Sequence, residues 1–115
     1  MPLTQTQARD RIRELNDALR ITLDSKLGKV VMTQGFADFR PRVHEQVIQA
    51  MRAFDKFDEA NDPNGEHDFG SIEIAGQKFY WKIDYYDPSL EFGSEDPTDP
   101  SKTTRVLTIM LAEDY

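Results

Sequence analysis

Glu66-His67-Asp68 is the stretch of this sequence whose side chains are best suited to chemistry. A histidine flanked by carboxylates can act as a general base, or bind a divalent ion with carboxylate help. Either role requires the groups to converge. In an extended strand side chains alternate between faces, so His67 points away from Glu66 and Asp68, and the three form no triad alone. A site here needs the neighbouring strand, where Asp84 and Tyr86 share a face with Lys82. Two pairings are open, His67 with Asp84 or Asp68 with Lys82, and the strand register decides between them. His67, Asp68 and Asp84 are therefore the candidate catalytic residues, and His67 and Asp84 the candidate metal ligands. No cofactor is expected, with a divalent metal at that pair as the open alternative.

A purely structural role competes with chemistry here. Asp and Asn in such loops cap turns, and a histidine can satisfy a buried carbonyl. His44 belongs to a helix surface. Calcium fails on pattern: the glycine at 65 would put an EF-hand's first ligand at Ala60 and its last at Ser71, and neither can serve. Phosphate-binding Gly-x-x-x-x-Gly-Lys, Gly-x-Ser-x-Gly and His-Glu-x-x-His patterns are absent. Lys78, Tyr80 and Lys82 could stack a nucleobase, but Asp84 and Tyr86 interrupt that face.

Charge narrows the partners. Residues 1–54 hold nine Lys/Arg against six Asp/Glu, and residues 55–115 hold five against fifteen, together giving the net charge of −7. The acidic half repels phosphates, so direct nucleic-acid binding is disfavoured. A protein partner with a basic surface, or a cation, is the natural counterpart. Asp62, Glu66, His67, Asp68, Asp84, Tyr86, Asp87, Asp96 and Asp99 are the candidate binding residues. Acidity also keeps a protein soluble without any partner. Sequence leaves the oligomeric state open.

These residues must be positioned by one domain spanning 1–115, since the chain is long enough for a single core. Absence of cysteine excludes disulfides and thiolate metal sites. There is no membrane-length apolar run and no signal-peptide core, so a cytoplasmic protein is expected. Thr4 and Gln7 form a capping box, and Ala8, Ile12, Leu15, Ala18 and Leu19 predict a helix to about Arg20. Arg9, Arg11, Arg13 and Arg20, with Asp10, Glu14 and Asp17, are expected on its solvated face. Lys29–Thr33 reads as a short strand. Pro41 opens a second helix with Val43, Val47, Met51 and Phe54 on one face, ending near Phe57.

A turn-rich loop, 58–66, leads to a hairpin of Phe69–Ile74 and Gln77–Tyr86 about Ala75-Gly76. Phe79, Trp81, Ile83 and Tyr85 point one way, and Lys78, Tyr80, Lys82, Asp84 and Tyr86 the other. Residues 87–103 form a long connection, and 105–111 an interior strand, apolar on both faces. The order α-β-α-β-β-β predicts an α+β fold, a mostly antiparallel sheet of about four strands with two helices packed on one face.

Val30-Val-Met-Thr33, Asn61-Asp-Pro63, Gly65-Glu-His-Asp-Phe-Gly70, Trp81-Lys-Ile-Asp-Tyr-Tyr-Asp87, Asp96-Pro-Thr-Asp-Pro100 and Arg105-Val-Leu-Thr-Ile-Met-Leu-Ala112 together resemble a bacterial domain-of-unknown-function family, number 3768. The resemblance runs from the first helix to the last strand. It implies a short stand-alone bacterial protein, often carried near plasmid or other mobile-element genes, and it transfers no activity or catalytic residues. With the charge, it favours a non-enzymatic binding or inhibitor protein, acting as a nucleic-acid mimic on host defence complexes. The alternatives are a metal-assisted hydrolase or nuclease built on His67, Asp68 and Asp84, and a structural subunit of a larger complex.

Overall fold

Alternation along Gln77–Tyr86 organises the molecule. Phe79, Trp81 and Ile83 are buried on one face of that strand, while Tyr80, Lys82 and Asp84 remain partly open on the other. The computed structural model describes residues 2–115. Helix α1 is Gln5–Thr22, strand β1 Lys29–Met32, a one-turn helix α2 Gln34–Ala37, and helix α3 Pro41–Arg52. Strands β2 (Phe69–Ile74), β3 (Gln77–Tyr86) and β4 (Thr104–Leu111) follow. The sheet order is β1-β4-β3-β2.

Both β2–β3 and β3–β4 are antiparallel, and the hairpin forms about Ala75-Gly76 as the turn residues require. Strand β1 pairs with β4 in parallel, so the sheet is mixed at that edge. A parallel pair needs a long crossover, and here α2, α3 and the β2–β3 hairpin lie between the two strands. Leu19 of α1 and Val47 and Met51 of α3 join Phe79, Trp81, Ile83, Leu107 and Ile109 in one core, so both main helices cover the same face. Gly70 lies opposite Trp81, and a Cβ there would run into the indole.

The end of the second predicted helix was misplaced by pattern alone. Helix α3 stops at Arg52, five residues before Phe57, because a buried arginine intercepts its last carbonyls. Arg20 Nη1 donates to the carbonyls of Met51, Arg52 and Phe54 at 2.9, 3.2 and 3.1 Å. Arg20 is only 3% exposed, so it leaves the solvated face on which it was expected. Its guanidinium lies over the Phe57 and Trp81 rings, a packing that suits a planar, weakly hydrated cation. Helix α1 runs to Thr22 and closes on Leu23 in the left-handed conformation.

Candidate functional site

Asp62 shapes the segment that carries the histidine. Its Oδ1 accepts the backbone N–H groups of Glu66 and His67, both at 3.1 Å, across the Pro63-Asn64-Gly65 turn. Gly65 and His67 both have positive φ, 67° and 56°. Residue 67 is therefore outside the extended strand, and the alternation rule that separated it from its neighbours does not apply there. Strand β2 begins only at Phe69.

The His67 ring turns toward α1 instead. It stacks on Phe57 with centroids 3.7 Å apart and planes 5° from parallel. Its Nδ1 lies 2.9 Å from Asp17 Oδ1, and its Nε2 lies 3.8 Å from Asp62 Oδ2. Asp17 is shared, since its Oδ1 also accepts from Arg20 Nη2 at 3.1 Å. Both nitrogens of this ring face carboxylates already committed to backbone or arginine. That arrangement orients a loop.

Glu66 goes elsewhere. Its Oε1 accepts the Tyr85 hydroxyl at 2.6 Å, and Tyr85 Oη in turn accepts from Asn16 Nδ2 at 2.8 Å. The same amide nitrogen donates to the Glu66 carbonyl at 3.0 Å, and Asn16 Oδ1 accepts from Arg105 Nε at 2.8 Å. Arg105 Nη2 reaches the Pro97 carbonyl. Asn16 is fully buried, so one amide joins α1, the 62–67 turn, β3, β4 and the loop preceding β4. Burial, reinforced by the bond to Glu66, pushes the Tyr85 phenol well above its ordinary range. Burial also lowers Arg105.

Neither proposed cross-strand pair forms. The register sets Phe69 opposite Lys82, and Asp68 takes part through its carbonyl, which accepts from Ile83 N–H at 2.9 Å. Lys82 Nζ pairs with Asp84 Oδ2 at 3.0 Å on the open face, across the sheet from His67. That bond raises Lys82. Among the described residues no three His, Asp or Glu side chains are placed to hold a metal ion; His67 is bonded to Asp17 and Asp84 to Lys82, so these two are not brought together. The Asp68 carboxyl is raised, through burial and then the charge of Glu66, with Asp62 and Asp84 adding to it. Asp84 and Tyr86 line a shallow groove of about 400 Å³ with Lys82 and Thr108.

Three acids of the 87–103 connection, Asp87, Asp96 and Asp99, each hold a turn. Asp87 Oδ1 accepts from Ser89 Oγ at 2.8 Å and from the N–H groups of Glu91 and Phe92. Asp96 Oδ1 accepts from Thr98 N–H and hydroxyl, and Asp99 Oδ1 from Ser101 N–H and hydroxyl. The serine bonds lower the Asp87 and Asp99 carboxyls. A bridge from Tyr86 to Gly93 and a 3-10 turn at Pro100–Lys102 complete the segment.

Residues 32–114 match the family model described as "Protein of unknown function (DUF3768)". The chain belongs to this family. The DUF3768 match contains every strand except most of β1, together with the 62–67 turn, Tyr85 and Arg105. It begins at Met32, later than the resemblance read from the motifs, and leaves out α1 with Asn16, Asp17 and Arg20. No curated protein and no solved structure matches the chain. Sequence reasoning missed the buried polar trio Asn16, Arg20 and Arg105. For the first two a signal existed: with Ile12 and Leu19 they lie on one stripe of α1 at helical spacing.

Proposed function

We propose that this protein is a non-enzymatic binding protein whose partner presents a basic surface to the end of the sheet where its two acidic loops meet. The carrying observation is topological. Phe69 pairs with Lys82 and Tyr86 with Thr104, so the start of β2, the end of β3 and the start of β4 lie together. The 53–68 and 87–103 connections therefore leave the sheet at the same end. Asp87, Glu91, Glu95, Asp96 and Asp99 form no salt bridge among the described residues. Three of them are held in turns, so little ordering entropy remains to be lost on docking.

The narrower form of this reading is an inhibitor from a mobile element that occupies the nucleic-acid surface of a host defence complex. It rests on carboxylates standing in for phosphates and on the family resemblance. A cytoplasmic location is part of the proposal; no helix among the described residues is long and apolar enough to cross a membrane. The hydrolase or nuclease reading draws no support from geometry, since His67 and Asp84 lie on opposite faces.

The test is affinity capture with the immobilised protein and a variant carrying Asp87→Asn, Glu91→Gln, Glu95→Gln and Asp99→Asn. The amides keep the turn acceptors and remove the charge. Wild type should retain a partner at about 50 mM salt and release it by about 500 mM, and the variant should retain little. Nothing held at low salt, or equal retention by both proteins, overturns the reading.

A further inference from the structure

The two edges of the sheet are not alike. Strand β2 turns exposed Ser71 and Glu73 outward along its length, the kind of polar guard that discourages edge pairing. Strand β1 carries such a guard only at its first residue, Lys29. Val30, Val31 and Met32 are 38%, 42% and 46% exposed, on both faces of the sheet, with no proline, bulge or charge between Val30 and Met32. Thr33 N–H donates inward to the Ile109 carbonyl at 3.0 Å. Strand alternation then turns the N–H and C=O groups of Val30 and Met32 outward, where β1 has no neighbouring strand.

Charge selects the occupant. At the start of β1, Lys26 and Lys29 are exposed, and neither forms a salt bridge among the described residues. Asp24 is the acid there, and its Oδ1 accepts from the Lys26 backbone at 2.9 Å. At the other end Asp114 Oδ2 accepts the Thr33 hydroxyl at 2.6 Å and the Leu111 N–H at 3.2 Å, and Asp38 is bonded to Gln34. The strand is thus basic where it starts and acidic where it ends. A second copy laid antiparallel sets each basic end against an acidic one, whereas a parallel copy opposes like charges.

We propose that β1 pairs antiparallel with β1 of a second copy about a two-fold axis at Val31, joining the two sheets into one. In this register Val30 and the partner's Met32 exchange their outward hydrogen bonds, and the two Val31 side chains meet at the axis. Lys29 faces the partner's Thr33, beside which the partner's Asp114 is held. Lys29, Val31 and Thr33 share the open face, because Val31 sits beside Thr108. Residues 1–54, which supply β1, hold nine Lys/Arg against six Asp/Glu, and the acidic half of the chain reaches this edge at Asp114. This surface is separate from the acidic loops, and its test does not depend on them.

The experiment is sedimentation equilibrium of the full chain from about 1 µM to about 1 mM, with near-ultraviolet circular dichroism to verify the fold. Wild type should dimerise. Val31→Lys, which opposes two charges at the axis, should weaken the dimer at least about tenfold. Lys29→Glu and Asp114→Lys should each weaken it about tenfold, and an equimolar mixture of the two should associate again, since both cross-axis pairs then regain opposite signs. Should Asp114→Lys fail to fold, Val31→Lys and Lys29→Glu still decide. A wild-type monomer across the range, a dimer untouched by Val31→Lys, or folded variants that stay apart on mixing would each overturn the proposal.

Discussion

The imidazole of His67 lies almost parallel to the ring of Phe57, 3.7 Å away, and is tied at Nδ1 to Asp17 in a helix fifty residues earlier. A side chain flanked by acids in sequence is thereby used to fasten the 62–67 turn to α1. The fastening must support a left-handed backbone at residue 67, which costs an L-residue about 1 kcal/mol.

Two substitutions separate these contributions. His67→Ala loses the stacking and the Asp17 bond while keeping the backbone strain, and should cost about 2–3 kcal/mol. His67→Gly loses the same contacts and relieves the strain, so it should be about 1 kcal/mol less destabilising than alanine. Urea unfolding of the three proteins checks this. An alanine variant as stable as the glycine variant would show that residue 67 carries no strain.

Asn16 should be the most sensitive polar position in the chain. Asn16→Ala removes the acceptor of Arg105 Nε and the donor to both Tyr85 Oη and the Glu66 carbonyl, in a fully buried site. Leaving a buried guanidinium short of a partner should dominate, for a total of about 3–4 kcal/mol. Chemical denaturation measures it, and a loss under about 1 kcal/mol would mean that water or a neighbouring group replaces the amide.

Why this network escaped sequence reading, while the strands did not, follows from the range of the forces involved. The faces of β3 were legible because alternation is local: Phe79, Trp81 and Ile83 declare one side within five residues. The Thr4–Gln7 cap and the Ala75-Gly76 turn are equally local, and both are present. The parallel pairing of β1 with β4 joins residues 77 positions apart, and nothing within four residues of β1 encodes it. Arg20 looked like a surface residue because its partners are the carbonyls that end α3, a feature without a side-chain signature. The separation of His67 from Glu66 was anticipated, but for the wrong reason, since Asp62 bends the chain before the strand begins.

Tyr85 gives the alkaline dependence. Its phenol is raised in the fold above the ordinary value near 10, so the folded state keeps a proton that the unfolded chain releases. Stability from this group is fully present below about pH 10 and is lost as pH rises toward the folded value. Tyr85→Phe should cost about 1–2 kcal/mol at pH 7 through the lost Glu66 and Asn16 bonds, and the gap from wild type should shrink above pH 10. Thermal unfolding at pH 7, 9 and 10.5 follows it. A constant gap across that range would remove the linkage.

Asp68 has the same sign of shift with a different consequence. Its carboxyl is raised by burial first and then by Glu66, with Asp62 and Asp84 contributing, so its charged form is less stable in the fold than in the unfolded chain. For a raised acid, stability is fully present below the unfolded value near 4 and falls as pH rises through the folded one. Wild type at pH 7 therefore carries a strained charge that Asp68→Asn removes. The amide is nearly isosteric, and the Asp68 carbonyl that pairs with Ile83 is unchanged. The variant should be more stable than wild type at pH 7 and indistinguishable from it at pH 3, where the carboxyl is protonated in both states. Unfolding midpoints at the two pH values measure the difference. If Asp68→Asn destabilises at pH 7, the carboxylate has an attractive partner in the folded state, and Asp68 returns as a candidate for chemistry at the Glu66–Asp68 segment.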